Sequence, residues 1–561
     1  MDSRSAAYAL SQIASFLELA GENRFKARAY RQAARSLLAL GADDLAPLLR
    51  CGELERVRGL GKATIAVVRD LVETGESRYL EQLRSQTPEG LIELMDVPGL
   101  GIEKIHKLYA ELGIQSLREL EDAARSGRLT KMKGMGAKTA QKLLGAIDFM
   151  RSASTLVLYP HLIVEANALV TSVRSHPDVV RAELAGSLRR RREVVADVDI
   201  VAACATDPVG VAQSFTRFAG VRSADGAGAT VAIRYVDGTR LDLYCVSPDE
   251  FGLAYFRATG SAAHVERVLA LLGTRATAIR GLEEGAVYTA AGLDWIPPEL
   301  REDQGEVDAA ARGALPQLVA LTDLRGVLHC HSTYSDGKST IAEMAAAARD
   351  LGWTYVGISD HSQAAFYASG VQREQMLEQH AEIDALNTSL DGIRVLKGVE
   401  ADILADGRLD YDPELLDRFD YVIASIHSRF KMDGAAMTER VLRAMDDPHM
   451  TVLAHPTGRL LLSREPYALD VDAVLQKAAE AGVAIEVNAD PHRLDLDWRY
   501  LKRAKELGVT IEIGPDAHSR RGLAWTELGV AMARKGWMEA GDVLNARSGD
   551  DVVAFARARR Q

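Results

Sequence analysis

The stretch GSLRRRREVVADVDIV, residues 186–201, decides the fold. A glycine–serine pair and a run of arginines lead into an apolar segment that carries Asp197 and Asp199 one residue apart. On an extended strand alternate side chains share a face, so Asp197-Val198-Asp199 points both carboxylates the same way. Just upstream, Val179-Val180-Arg181-Ala182-Glu183-Leu184-Ala185 reads as a strand that ends in Gly186. Downstream, Thr230–Tyr235 and Arg240–Cys245 read as two more, and the second brings Asp242. Three carboxylates on one face repel each other unless divalent cations lie among them, and hard oxygen ligands suit Mg²⁺. Two such ions can activate an attacking hydroxyl and stabilise a departing pyrophosphate. D-x-D alone describes a solvated strand end. With G-S-x-x-R before it and Asp242 after it, the pattern reads as nucleotidyl transfer.

Before this segment, residues 1 to about 150 read as short helices separated by glycine turns. Cations line one helix from Arg24 to Arg31. One pattern then occurs three times, as Gly59-Leu60-Gly61-Lys62, Gly99-Leu100-Gly101 and Gly134-Met135-Gly136-Ala137-Lys138. Glycines permit the tight turn and let backbone approach a ligand closely. The helix start that follows offers unpaired N–H groups and a positive dipole end, which suits a phosphate. A single copy would be an ordinary packed turn. Three copies, with Lys62 and Lys138 beside them, read as helix–hairpin–helix motifs that hold a nucleic-acid backbone without reading its bases.

After it, the acidic, proline-bracketed segment from Pro297 to Pro316 reads as a connection, and from about residue 323 strands and helices alternate. The strand ending in His329-Cys330-His331 puts two histidines on one side at metal-ligand spacing, and Ser335-Asp336-Gly337 follows. Further apolar strands end in Asp360-His361, Glu400, His427, His455 and Asp516-Ala517-His518. Polar residues at the C-terminal ends of repeated strand–helix units describe a (β/α) barrel and its active face. One such histidine is usually structural, but convergence at this many strand ends points to metal.

Composition sets the frame. At roughly 100–200 residues per domain, 561 residues make three to five domains, with ordinary apolar (47%) and charged (26%) fractions that exclude a disordered or collagenous chain. No apolar run approaches a membrane span, and Met1–Phe16 is amphipathic rather than a signal peptide, so a cytoplasmic location is expected. Cys51, Cys204, Cys245 and Cys330 are scattered, which excludes a disulfide framework. The net charge of −12 opposes nucleic acid only as an average: residues 1–150 hold 22 basic and 20 acidic residues, whereas nine of the 13 histidines lie between His329 and His518.

The order G-S-L-R-R, D-V-D, R-L-D-L, T-G-S and W-I-P-P-E-L-R-E-D, after glycine-pair hairpins, resembles a bacterial-type family X DNA polymerase. The resemblance spans essentially the whole chain. It implies a multidomain fold: an α-helical, helix–hairpin–helix N-terminal region, an α+β nucleotidyltransferase palm with a thumb, and a C-terminal distorted (β/α)7 barrel of the polymerase-and-histidinol-phosphatase (PHP) type. The boundaries read as a lyase-like domain 1–85, fingers 86–150, palm 151–250, thumb 251–315, linker 316–322 and PHP domain 323–561.

The resemblance also implies roles. Asp197 and Asp199 would bind two Mg²⁺ or Mn²⁺ ions, with Asp242 also a ligand that accepts the proton of a primer 3′-hydroxyl or orients it. Gly186, Ser187, Arg190 and Gly260 would hold the incoming deoxynucleoside triphosphate. Gly59, Gly61, Lys62, Gly99, Gly101, Gly134, Gly136 and Lys138 would hold gapped or primed DNA. In the PHP half, up to three Mn²⁺ or Zn²⁺ ions would sit at His329, His331, Glu400 and Asp516; at Glu400, His427 and His455; and at Asp336, His361 and His518.

The sequence departs from the family's pattern in three places. Val67 and Ala63 stand where lyase-competent members carry lysines, and a valine cannot form an imine, so no deoxyribose-phosphate lyase is expected at that position. Arg257-Ala258 precede Thr259-Gly260-Ser261, with the aromatic pair Tyr255-Phe256 displaced upstream in the region that discriminates sugars. Arg191 and Ala196 replace glycines near the triphosphate loop, the arginine adding charge there. His492 and Arg493 read as contacts for a substrate phosphate, His380 and His449 as surface residues. The expectation is a monomeric gap-filling repair polymerase whose PHP half trims 3′ ends or cleaves at abasic sites. The alternatives are a small-molecule phosphoesterase with an inert palm and a non-catalytic DNA-end scaffold.

Each phosphate neutralised on duplex DNA contributes a slope of about −0.9 in log K against log salt, so four to six contacts should cost roughly two orders of magnitude in affinity between 50 and 200 mM salt. Replacing Lys62 and Lys138 with alanine should flatten that slope by about one to two units without changing sequence preference. A titration at four salt concentrations checks it, and an unchanged slope would leave the glycine turns as packing devices.

Overall fold

The computed structural model describes residues 1–560 apart from 21–23, 41, 43, 87–89, 96, 98, 99, 133, 134, 137, 138, 146 and 148–155. The expected Gly99, Gly134 and Lys138 contacts therefore lie outside the described residues. The N-terminal helices Ser3–Leu19 and Arg24–Leu40 pack through Ala6, Leu10, Ile13, Leu17, Ala33 and Leu37. Val67 lies in the same core, 4% exposed.

The three glycine turns share one hydrogen-bond ladder. Val57, Val97 and Met132 N–H donate to the carbonyls of buried Leu54, Leu94 and Leu129 at 3.1–3.3 Å. Leu60, Leu100 and Met135 donate in turn to Val57, Val97 and Met132 at 3.0–3.1 Å. A helix then opens from the carbonyls of Gly61, Gly101 and Gly136, to which Ile65, Ile105 and Ala140 donate. The repeat is therefore one of backbone geometry, held by an apolar residue at each corner.

The middle region has strands β1 (Val157–Leu158), β2 (Val179–Leu184), β3 (Val194–Val195), β4 (Val198–Cys204), β5 (Val221–Asp225), β6 (Thr230–Tyr235) and β7 (Arg240–Val246). The main sheet runs β2-β4-β7-β6-β5, with β4 and β7 parallel and the other pairs antiparallel. Alternation buries Leu241, Leu243 and Cys245 of β7 and leaves Asp242 and Tyr244 on the other face. Val201 and Ala203 of β4 pack against Phe251 and Tyr255 of the helix Phe251–Thr259. A helical unit follows, built on Phe256, Val268, Tyr288, Ile296 and Leu300. At its centre buried His264 bonds Glu306 through Nδ1 at 2.6 Å and the Tyr288 hydroxyl through Nε2 at 3.0 Å.

The C-terminal region has β8 (Gly326–Val327), β9 (Tyr355–Ile358), β10 (Arg394–Lys397), β11 (Glu400–Asp402), β12 (Ile423–Ser425), β13 (Val452–Leu453), β14 (Ala484–Asn488) and β15 (Ile511–Gly514). Every pairing among them is parallel: β10-β9-β8 form one sheet and β11-β12-β13-β14-β15 the other. Bridges between His361 and Glu400 and between Cys330 and Ala517 join the two sheets into a closed ring. Since β10 and β11 are two halves of one strand broken at Gly398, the ring is a seven-stranded barrel. Tyr421 plugs it: its hydroxyl donates to the Leu328 carbonyl at 2.5 Å, and a Cβ on Gly398 would stand 2.1 Å from its ring. The barrel and the palm sheet share one apolar cluster, which includes Leu188 and Val198 from one side and Leu501 and Met532 from the other.

Gly398→Ala should destabilise the barrel by about 2–3 kcal/mol, because the tyrosine ring is anchored and cannot yield to the added methyl. Urea unfolding checks this. A loss below about 0.5 kcal/mol would mean that the plug can shift.

Candidate active sites

In the palm, the parallel register sets Asp199 of β4 beside Asp242 of β7, and Asp197 immediately precedes β4. Gly186 holds φ at +60°, and a Cβ there would stand 1.7 Å from Asp199 Oδ2, so only glycine lets the turn and the carboxylate coexist. Burial, then the Asp197 and Asp242 charges, push the Asp199 carboxyl up to about 7, while Tyr244 donates a hydroxyl to it at 3.4 Å. Burial and Asp197 raise Asp242 as well. Ser187 Oγ is buried and makes no hydrogen bond. Mutually repelling carboxylates beside an unsatisfied hydroxyl fit divalent cations and a polar ligand.

Arg190 is held by protein: Nε donates to Glu302 Oε1 at 3.1 Å and Nη1 to the Thr259 carbonyl at 2.7 Å. Gly260 follows Thr259, and a Cβ there would meet Val265 and His264 at 2.8–2.9 Å. Arg189 is part of a buried cluster in which Glu284 accepts from Arg189 at 2.5 Å and from Arg301 at 2.9 Å, which holds Glu284 down to about 2 against its burial. Tyr255 lies under Arg189 at 3.7 Å and Phe256 packs on Tyr288, so the displaced aromatic pair belongs to the core. Arg191 bonds the Tyr159 hydroxyl and pairs with Glu527, which takes its charge away from the loop rather than adding to it.

At the hairpins, Gly61 and Gly101 cap the helices Lys62–Thr74 and Ile102–Leu112. Among the described residues, Cβ atoms at Gly61, Gly101 and Gly136 would meet nothing within 4 Å, and Lys62 is exposed. Gly59 differs: its φ is +100° and a Cβ would clash with Ser36 Oγ at 2.5 Å.

The barrel brings all nine of its expected ligands to one end. Glu400, 1% exposed, faces five imidazoles: His361 Nδ1 at 2.9 Å, His455 Nε2 at 3.0 Å, His427 Nε2 at 3.3 Å, His329 Nε2 at 3.4 Å and His331 Nε2 at 3.6 Å. Asp516 lies 3.3 Å from His331, and Asp336 lies 3.3 Å from His518. Among the described residues, the sets of ligand atoms within 4.8 Å of one another all lie here. They are His331, Asp336, His361 and His518; His329, His331 and Asp516; His329, Glu400 and His455; and His361, Glu400 and His427. The palm trio stands wider apart.

His329 Nε2, His331 Nε2 and Glu400 Oε2 are buried without hydrogen bonds, which is costly in a metal-free protein and resolved by coordination. Burial works against the Glu400 charge, yet His361, His427 and His329 hold its carboxyl well below the usual range. Burial and the neighbouring His518 and His361 drive His331 down to about 4, so it stays neutral and keeps a lone pair for a metal. His455 and Asp516 both hold positive φ, 28° and 50°, which is uncommon for residues other than glycine.

Sequence reading missed the residues that orient these ligands. His329 Nδ1 meets Glu486 Oε1 at 2.5 Å and His427 Nδ1 meets Asp402 Oδ1 at 2.8 Å, which turns each Nε2 toward the centre. Asn488 Nδ2 donates to Asp516 at 3.1 Å. The one available signal was an acid inside an apolar strand, as in Ala484-Ile485-Glu486-Val487-Asn488. Arg493 lies 3.5 Å from Asp516, His492 is exposed beside Asp490, and His380 and His449 are both buried rather than on the surface.

At pH 7, about half of the metal-free molecules should carry the extra proton on Asp199. Only the ionised carboxylate ligates, so Mg²⁺ should release about half a proton at pH 7 and almost none at pH 9. Asp199→Asn should abolish the release. Titration in weak buffer with a pH indicator measures it, and equal release from the variant would place the proton elsewhere.

Three family descriptions match parts of the chain: a helix-hairpin-helix domain over residues 1–77, a SAM-like helix-hairpin-helix tandem over 91–147 and a PHP domain over 328–490. A probable phosphatase of Syntrophotalea carbinolica is 32% identical over 168 residues, 29% of this chain and 64% of that protein. Another, of Acetivibrio thermocellus, is 32% identical over 165 residues, 28% and 63%. Both alignments are short. The DNA polymerase/3′-5′ exonuclease PolX of Bacillus subtilis is 36% identical over 566 aligned positions that cover 98% of each chain. An alignment at this identity over nearly the whole of both chains means that the chain belongs to the PolX family, the bacterial-type family X DNA polymerases with a C-terminal PHP domain.

Proposed function

We propose that the protein is a DNA polymerase that fills short gaps during repair and removes 3′ nucleotides through its PHP half. The observation that carries this reading is the presence on one chain of two separate ligand constellations, Asp197, Asp199 and Asp242 on the palm sheet and the Glu400-centred cluster in the barrel. The domain limits given by the resemblance, from the lyase-like segment 1–85 to the PHP domain 323–561, form part of the proposal, as do a monomeric state and a cytoplasmic location. Among the described residues no helix is long and apolar enough to cross a membrane.

In the palm, Asp197 and Asp199 would hold Mg²⁺ or Mn²⁺, which when bound neutralises charge on the triphosphate and acidifies the 3′-hydroxyl. Asp242 accepts the proton of that hydroxyl or orients it. Ser187 Oγ, buried and unsatisfied, donates to a phosphate oxygen. Gly186 brings backbone close, Gly260 and Thr259 set the adjoining corner, and Arg190 supplies positive charge. The hairpin amides and Lys62 hold DNA flanking the gap.

In the barrel, Mn²⁺ or Zn²⁺ would supply Lewis acidity and a nucleophilic water at neutral pH. Glu486 and Asp402 fix His329 and His427, Glu400 is shared among ligand sets, and Arg493 directs a guanidinium toward the same centre. The probable phosphatases align with less than a third of the chain, and a small-molecule phosphoesterase would leave the palm carboxylates without purpose.

A gapped duplex incubated with and without deoxynucleotides, in Mg²⁺ and in Mn²⁺, tests both activities. Asp199→Asn should lower extension by at least about 10³-fold and leave 3′ trimming within twofold, and Glu400→Gln should do the reverse. Extension by Asp199→Asn at the wild-type rate would refute the palm assignment, and undiminished trimming by Glu400→Gln the barrel assignment.

A further inference from the structure

The loop from Gly186 to Glu193 is gripped from the barrel side. Lys535 ends the barrel-half helix Thr526–Lys535, and its side chain is wholly buried. Its Nζ donates to Glu302 Oε1 at 2.8 Å and to the Arg190 carbonyl at 3.0 Å, and lies 4.5 Å over the Trp498 ring. Glu302 also accepts from Arg190 Nε at 3.1 Å and from Arg192 Nη1 at 3.3 Å. The Arg192 N–H donates to the Ser187 carbonyl at 3.0 Å, so a shift at Lys535 reaches the serine through three hydrogen bonds, by way of Glu302 and Arg192. Glu193, next in sequence, accepts from Trp498 Nε1 at 3.1 Å and Arg499 Nη1 at 2.8 Å.

We propose that Lys535 is a positioning residue for the deoxynucleoside triphosphate site: with Glu302 it holds Arg190 and the Ser187 turn in the geometry that receives phosphates. The inference rests on the polymerase reading of the palm. An ammonium buried this deeply is a poor source of stability. Burial drives its pKa down to about 8 even with Glu302 and Glu193 nearby, and a well-packed apolar residue in its place would often be no worse for folding. What methionine cannot do at this position is donate to the Arg190 carbonyl and complete the set of three cations, with Arg190 and Arg192, around the Glu302 carboxylate. The PHP half therefore completes the nucleotide site of the palm.

The full-length protein tests this on a gapped duplex, with deoxynucleotide concentration varied. Lys535→Met should raise KM for the nucleotide about tenfold, with kcat and 3′ trimming within twofold of wild type. Lys502 donates to the Gln304 carbonyl at 2.7 Å across the same boundary without touching the loop, and Lys502→Met should leave KM unchanged. An unchanged KM in Lys535→Met, a fall in kcat alone, or an equal rise in Lys502→Met would overturn the proposal. If Lys535→Met does not fold, Glu302→Gln carries the test by the same criteria. A wild-type protein that fails to extend would instead refute the polymerase reading.

Discussion

A single buried carboxylate dictates the form of the C-terminal half. Glu400 is almost sealed from water, and an isolated charge there would be intolerable. Five imidazoles at 2.9–3.6 Å make the position tenable, and they come from four separate parts of the chain between His329 and His455. Bringing these segments to one point requires a ring of parallel strands whose C-terminal ends converge. The strand broken at Gly398 belongs to that requirement, because the interruption lets Tyr421 fill the floor while Glu400 rises into the cluster. The palm meets the converse problem: its charges share a sign, and β4 and β7 are parallel so that like charges are forced together.

These two problems differ in how visible they were from the amino-acid order. Most barrel ligands stand at or just beyond the end of a short apolar strand, with His329 and His331 sharing one and Asp516 and His518 another. The fold class and these positions could therefore be read locally, whereas Asp336 ends no strand and was assigned only through the resemblance. The palm aspartates were legible for the same reason, since period-two alternation on a strand is local. Pairings over long separations have no such mark. Glu284 meets Arg189 at a distance of 95 residues, and Glu302 meets Lys535 at 233, and nothing near either residue announces its partner. Arg190 illustrates the consequence: as the last residue of G-S-L-R-R it read as a free phosphate ligand, yet its guanidinium is already engaged by Glu302 and Thr259. Arg191 read as surplus charge for the loop and instead reaches Tyr159 and Glu527.

The boundary between the halves was also illegible, and it has the character of a core rather than a docking surface. Leu188 and Val198 belong to the same apolar cluster as Leu501 and Met532, and Trp537 joins the helical unit around Tyr288. Apolar burial is non-directional and leaves no periodic trace that separates an interdomain face from an ordinary interior.

The ladder common to the three glycine turns bears on how the two chemistries can share a substrate. Main-chain amides neither ionise nor oxidise over the range in which carboxylates and imidazoles change state. A hold on DNA built from such groups would be indifferent to acidity, whereas both metal constellations are governed by it. A fall in pH would then leave the enzyme seated on its DNA while silencing its chemistry, so residence and turnover would be separately adjustable quantities.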